Sequence, residues 1–181
     1  MKLVPSRLQL LFVLVTITLF LVTLVANNWL FKWSEHIPGV AWVYLPAGMR
    51  MLCTLLFAGA GAAGLVIVSL GVSFLYFFPD DHERAAVGGV IGGLAPYLVY
   101  LYARHAWGLQ ASLANLSSGR LLSLSLAYAV ANSLLHNLYF AWRGQPDLLD
   151  SFVAMCVGDL LGTLIVLYTI KAVLAWVPQR T

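Results

Sequence analysis

Two ionisable residues lie deep inside long apolar stretches of this sequence: Arg50, in Leu45-Pro46-Ala47-Gly48-Met49-Arg50-Met51-Leu52, and Asp159, in Cys156-Val157-Gly158-Asp159-Leu160-Leu161-Gly162. A charge in such surroundings is costly, and it faces a partner, a cavity or a relay rather than lipid. Counted inward from the start of its own apolar run, near Ala41 or near Asp150, each charge sits about nine residues in, a depth of roughly 14 Å at the helical rise per residue. Asn132 arrives at the same level from the opposite direction, and Tyr128, Asn132 and His136 share one helical face through their i, i+4 spacing. The expectation is a polar cluster near mid-membrane, opening outward, built from Arg50, Asp159, Asn132 and His136 and lined by Tyr44 and Tyr128. Two chemistries fit it equally: a site that binds a small ligand, or an ion pair between Arg50 and Asp159 that ties two helices together.

Other chemistries fit less well. His136 alone does not make a metal or haem site, because a helical bundle holding haem usually presents two facing histidines, and His36, His82 and His105 fall at or beyond the ends of the apolar runs. Ser133 and His136 are neighbours on one helix without an oxyanion hole or a base-orienting acid in register, which argues against a serine hydrolase. No catalytic residue, metal or cofactor is expected. Cys53 and Cys156 lie within apolar spans and read as small buried hydrophobes, and Asp80-Asp81-His82-Glu83-Arg84 reads as a solvated loop and topology signal, with ligand binding there the lesser alternative.

The elements that would position these residues follow from composition. Of 181 residues 61% are hydrophobic and 9% charged, well short of the roughly 25% charged in a soluble domain, so the bilayer is the main solvent. At roughly 20 apolar residues per crossing, the chain divides into six spans, residues 8–26, 41–58, 62–78, 86–102, 121–142 and 151–172. Trp29 and Trp33 suit a membrane interface, Gly59 to Gly64 provides a place to reverse, and residues 104–120 read as a loop with an amphipathic tinge. The amino-terminal run reads as a retained first helix rather than a cleaved signal, and Pro178 as the end of the last helix. The fold class is therefore an all-α membrane bundle of about six helices in a single domain, N-in and C-in. Loop charges agree: Lys2, Arg7, Arg104, Arg120, Lys171 and Arg180 fall on the side of the amino terminus, while Glu35, Asp80, Asp81, Glu83, Asp147 and Asp150 fall on the other, with Lys32, Arg84 and Arg143. The basic residues are scattered at span ends rather than gathered in a patch, so nucleic acid is not an expected partner.

Small residues at close-packing intervals complete the pattern: Gly88, Gly89, Gly92 and Gly93 form two overlapping small-xxx-small repeats, and Gly158 with Gly162 forms a third. Packing inside one bundle is the simpler reading; a homodimer face is the alternative. Pro46 and Pro96 are expected to bend or break their helices, with the break at Pro46 offering backbone groups to the cluster around Arg50.

Val43-Tyr44-Leu45-Pro46-Ala47-Gly48-Met49-Arg50 and Val157-Gly158-Asp159-Leu160-Leu161-Gly162, in this order and with a glycine-rich segment between them, resemble the first type of bacterial membrane-associated sensor (MASE) domain over about residues 41–170. The resemblance implies that Pro46, Gly48, Gly158, Asp159 and Gly162 are family positions. It implies a multi-pass sensory module of the bacterial inner membrane, of the kind usually placed before a cyclase, phosphodiesterase or kinase. This chain departs from that plan in carrying no output domain and fewer spans than many such domains. The leading expectation is thus a non-enzymatic sensory or regulatory module that binds a small ligand or reports membrane state and signals to a separate membrane or cytoplasmic partner. The alternatives are the substrate-binding subunit of a vitamin-type transporter, although 8–26 lacks the alanine-spaced contacts such subunits offer their energising partner, and a structural or assembly protein without a ligand.

Overall fold

The computed structural model describes residues 6–176, with side chains to residue 173. Lys2, Pro178 and Arg180, used above for topology and for the end of the last helix, lie outside the described residues. The chain forms α1 (Ser6–Phe31), a short antiparallel hairpin of β1 (Glu35–Ile37) and β2 (Val40–Ala41), then α2 (Leu45–Val72), α3 (His82–Ala106), α4 (Ser118–Trp142) and α5 (Leu148–Trp176). A π-helical turn, Ser73–Phe77, extends α2. Counting α2 with its π-helical turn as one, five helices are long and apolar enough to cross a membrane, consistent with an all-α membrane bundle.

Six separate spans were expected, and the difference lies in α2, where 41–58 and 62–78 run into one another through one non-helical residue, Ala58 (φ 47, ψ −122). On either side of it the chain runs in opposite directions along α1. Leu45 meets Asn27 and Phe57 stacks on Phe12 with ring centroids 4.7 Å apart; beyond Ala58, Gly64 lies against Val13 and Thr16, and Tyr76 accepts a hydrogen bond from Asn28. Residues 45–57 are thus antiparallel to α1 and 59–77 parallel to it. So tight a reversal needs bare backbone: a Cβ on Gly61 would overlap the carbonyl of Cys53. The glycine-rich segment supplies the turn with almost no loop.

Other boundaries also shift. Residues 41–44 are not helical, because β2 and the stretch after it lie along α5. Pro46 stands in the first turn of α2, where its missing N–H costs nothing, so it begins a helix rather than breaking one. α3 runs unbroken through the buried Pro96. His82–Arg84, expected in a loop, form the first turn of α3, because the Asp81 side chain caps it by accepting from the Arg84 N–H at 3.0 Å. Residues 108–117 form the expected loop, pinned by Asn115, which accepts from the Gln110 N–H and donates to the Gly108 carbonyl.

The burial pattern is that of a protein dissolved in lipid. Leu10, Leu14, Val22, Val25, Leu75 and Leu138 face outward, while Thr16, Thr54, Ser125, Asn132, Ser133 and Thr163 are buried. α2 is the centre, packing on α1, α3 and α5, with α4 bridging α3 and α5. Met51, Leu55, Tyr100, Leu124 and Tyr128 fill one side of it, and Phe20, Leu24, Leu65 and Val68 the other.

Asn27 does a job its place in an interfacial Asn-Asn pair concealed. Its Oδ1, buried in α1, accepts the Leu45 N–H at 2.8 Å and so caps α2 from another helix. A helix N-terminus without water has few other ways to satisfy its first donors. Asn27→Ala is expected to cost about 1–2 kcal/mol, seen as a lowered unfolding midpoint in detergent; an unchanged midpoint would show that the cap is dispensable.

Candidate functional site

Close backbone contact sets the level of the site. Gly158 and Gly162 present a bare stripe of α5 to residues 41–45: a Cβ on Gly158 would overlap the Ala41 carbonyl, and one on Gly162 the Tyr44 carbonyl. The Tyr44 N–H donates to the Gly158 carbonyl at 3.1 Å. Gly48 repeats the contact from α2, where an added Cβ would stand 2.8 Å from the Gly162 carbonyl oxygen and 2.7 Å from Val166 Cβ. This seating brings Tyr44, and Arg50 just under two turns further on, to the depth of Asp159. The glycine pairs on α5 therefore pack within the chain.

Arg50, Asp159, Asn132, His136 and Tyr44 all line one cavity of about 60 Å³. Arg50 is 8% exposed, Asn132 and Asp159 2% each. Asn132 organises one wall: its Nδ2 donates to Asp159 Oδ2 at 2.6 Å, and its carbonyl accepts from His136 Nδ1 at 2.9 Å. Tyr128 does not line the cavity; it is fully buried beneath it among Met51, Leu55 and Tyr100.

Arg50 and Asp159 share the cavity without touching. Among the described residues the ion pairs are Arg143–Asp81 at 3.2 Å and Arg143–Glu83 at 3.0 Å, and Arg50 takes part in neither. Its guanidinium instead lies near the rings of Phe20 (5.2 Å) and Tyr44 (5.4 Å), with Nε buried and unpartnered. The space for it is provided by α3: a Cβ on Gly92 would lie 2.8 Å from an Arg50 terminal nitrogen. Of the two overlapping glycine repeats on α3, Gly89 and Gly93 pack against the backbone of Leu70 and Val66. Gly92 makes room for Arg50, and Gly88, which lines the cavity, would meet only His136 at 3.9 Å. Gly88, expected at a helix–helix contact, thus lines the cavity, and Gly92 packs against Arg50.

Two contributors were not expected. The β1–β2 hairpin forms one wall through Pro38, Gly39, Val40 and Ala41, held by the Gly39–Phe78 contact and by Arg84, whose Nη2 donates to the Pro38 carbonyl at 3.2 Å. Arg84 itself lines the cavity, stacked on Phe78 (4.3 Å) and Phe140 (5.2 Å). Within an apparent surface charge run it carried no signal that would set it apart from its neighbours. Beside it Asp81 raises the pKa of the Arg143 guanidinium, with a further contribution from its hydrogen bond to Glu83, and this pair of bridges joins the start of α3 to the end of α4.

Comparison with protein-family models, with curated proteins and with solved structures finds no match to this chain.

Proposed function

We propose that this chain is a sensory or regulatory membrane module that binds a small ligand in the Arg50–Asp159 cavity and passes the change in helix packing to a signalling partner. The observation that carries this reading is a buried guanidinium and a buried carboxylate that face one cavity and do not neutralise each other. An ion pair serving only to lock two helices would close that gap, since unpaired charges in a low-dielectric interior are costly. The likeness to membrane-associated sensor domains supports the same reading: of the positions it singles out, Asp159 lines the cavity, while Gly48, Gly158 and Gly162 make the close contacts between α5 and residues 41–48 that seat it.

In this proposal the chain makes six crossings of a bacterial cytoplasmic membrane, N-in and C-in. The reversal at Ala58 supports that count, since it alternates the direction of successive segments. Asp81 and Glu83, which bond the cavity-lining Arg84 and Tyr139, belong to the acid-rich segments that the charge rule puts outside and support an outward-facing mouth. Transport is the second reading, favoured by the same mouth.

Native mass spectrometry of the protein extracted gently from its own membrane tests the proposal. The wild type is expected to carry a small-molecule adduct that Asp159→Asn and Arg50→Gln each lose. Absence of any adduct, with both variants destabilised and Arg50→Met combined with Asp159→Leu restoring stability, would make the cluster structural and overturn it.

A further inference from the structure

The charges that face the cavity restrict what it can hold. Arg50, Arg84, Asp159 and His136 are its ionisable lining groups, apart from the tyrosines. Both arginines lie over aromatic rings and neither pairs with a carboxylate; Arg84 commits one Nη to the Pro38 carbonyl, and the Arg50 guanidinium is the donor group left to meet an acceptor that enters. Asp159 accepts from Asn132 through Oδ2, and no other donor among the described residues reaches it. One wall therefore offers donors around a positive charge and the other an acceptor around a negative one.

We infer that the cavity takes a small monocarboxylate carrying a hydrogen-bond donor beside its carboxyl group, such as a two- or three-carbon hydroxy or amino acid. This rests on the ligand-binding reading above and names the class of ligand. A planar carboxylate matches the guanidinium edge of Arg50 in a two-point contact, and the hydroxyl or ammonium group points at Asp159. A phosphate dianion fits worse, because its second charge would stand near Asp159 without a further cation at that depth. A simple amine fits worse because guanidinium groups outnumber carboxylates in the cavity. Size agrees: about 60 Å³ accommodates on the order of five water-sized atoms, the scale of glycolate or glycine. Arg84, nearer the mouth, raises the local concentration of anions there.

The test uses the full chain in nanodiscs of neutral lipid, with binding of glycolate, glycine, acetate, inorganic phosphate and ethanolamine measured by calorimetry. Glycolate or glycine is expected to bind, acetate about tenfold more weakly, and phosphate and ethanolamine not at all. Arg50→Gln is expected to weaken binding by about tenfold to a hundredfold, and Asp159→Asn to narrow the preference over acetate. Should Arg50→Gln fail to fold, Gly92→Ala serves instead. Its Cβ displaces only the flexible end of Arg50, so the same loss is expected with the unfolding midpoint kept. Binding of phosphate or ethanolamine in place of the carboxylates overturns the ligand class and leaves the site standing. So does failure of every probe when the natively extracted protein carries another molecule. Failure of every probe with no adduct in the native extract overturns both readings.

Discussion

Gly162→Val is expected to remove most of the folded protein, with a destabilisation above about 3 kcal/mol, at the top of the range for overpacking. The obstacle is backbone against backbone. The first added carbon would overlap the Tyr44 carbonyl and stand 2.9 Å from the Leu45 nitrogen, and neither can rotate away. On the next turn Gly48 already lies against Val166 and the Gly162 carbonyl, so α5 cannot slide to relieve the clash without losing that contact. In lipid, helices associate through such close packing rather than through the hydrophobic effect, which leaves little to compensate. Gly158→Val is expected to behave alike, since it meets the Ala41 carbonyl. Gly119→Ala, with open space around it in the first turn of α4, is the control and should be neutral or stabilising by up to about 1 kcal/mol. Unfolding in mixed micelles measures all three. A Gly162→Val midpoint within a few degrees of wild type would mean that the stripe is not a tight contact.

The same glycines illustrate what was legible in the sequence. Spacing alone marked Gly158 and Gly162 as a close-packing pair, because the i, i+4 interval puts both on one helix face whatever the partner is. It did not identify the partner, which is the non-helical stretch 41–44 with the start of α2 and not a second helix along the whole stripe. The long apolar run from Ala41 to Phe78 had to reverse somewhere, and a glycine-rich centre located the turn. That the turn takes a single residue depends on Gly61 meeting the Cys53 carbonyl, a tertiary contact with no local signature. Helix ends shifted by a few residues, outward at the start of α3 and inward at the start of α2, for a related reason. Asp81 caps α3 and Asn27 caps α2 from a distance, and hydropathy does not register capping.

For the cavity, depth counting brought Arg50, Asp159, Asn132 and His136 together because each rides a regular helix with a fixed rise. Where the chain is irregular the method had nothing to count, so the hairpin that walls the cavity was missed. Arg84 was missed because its company, Asp80, Asp81 and Glu83, looks solvated. In the folded chain those acids split their roles, Asp81 and Glu83 engaging Arg143 and leaving Arg84 stacked on Phe78 and Phe140. Tyr128 shares the α4 face of Asn132 and His136, but one turn deeper that face meets Met51 and Leu55 instead of the cavity.

A double-mutant cycle separates a cavity from an ion pair more sharply than any single substitution. Asn132→Leu strips Asp159 of the one hydrogen bond its side chain makes among the described residues, 2.6 Å long and buried on both sides. It should cost about 2–4 kcal/mol, because it leaves a buried carboxylate without a donor. Paired with Asp159→Leu, the coupling between these two positions is expected at about 1–2 kcal/mol, at the upper end for hydrogen bonds inside membrane bundles. Arg50→Met with Asp159→Leu should couple less, because the two side chains make no contact and the space between them admits water. Asp159→Leu alone is then expected to be milder than Asn132→Leu, since it removes the buried charge together with the hydrogen bond, leaving a neutral amide rather than a carboxylate unpartnered. Reversible unfolding in micelles supplies the four free energies for each cycle. If the Arg50–Asp159 coupling came out larger than the Asn132–Asp159 coupling, the two charges would be acting as a direct pair, and a cavity held open for a ligand would no longer account for their placement.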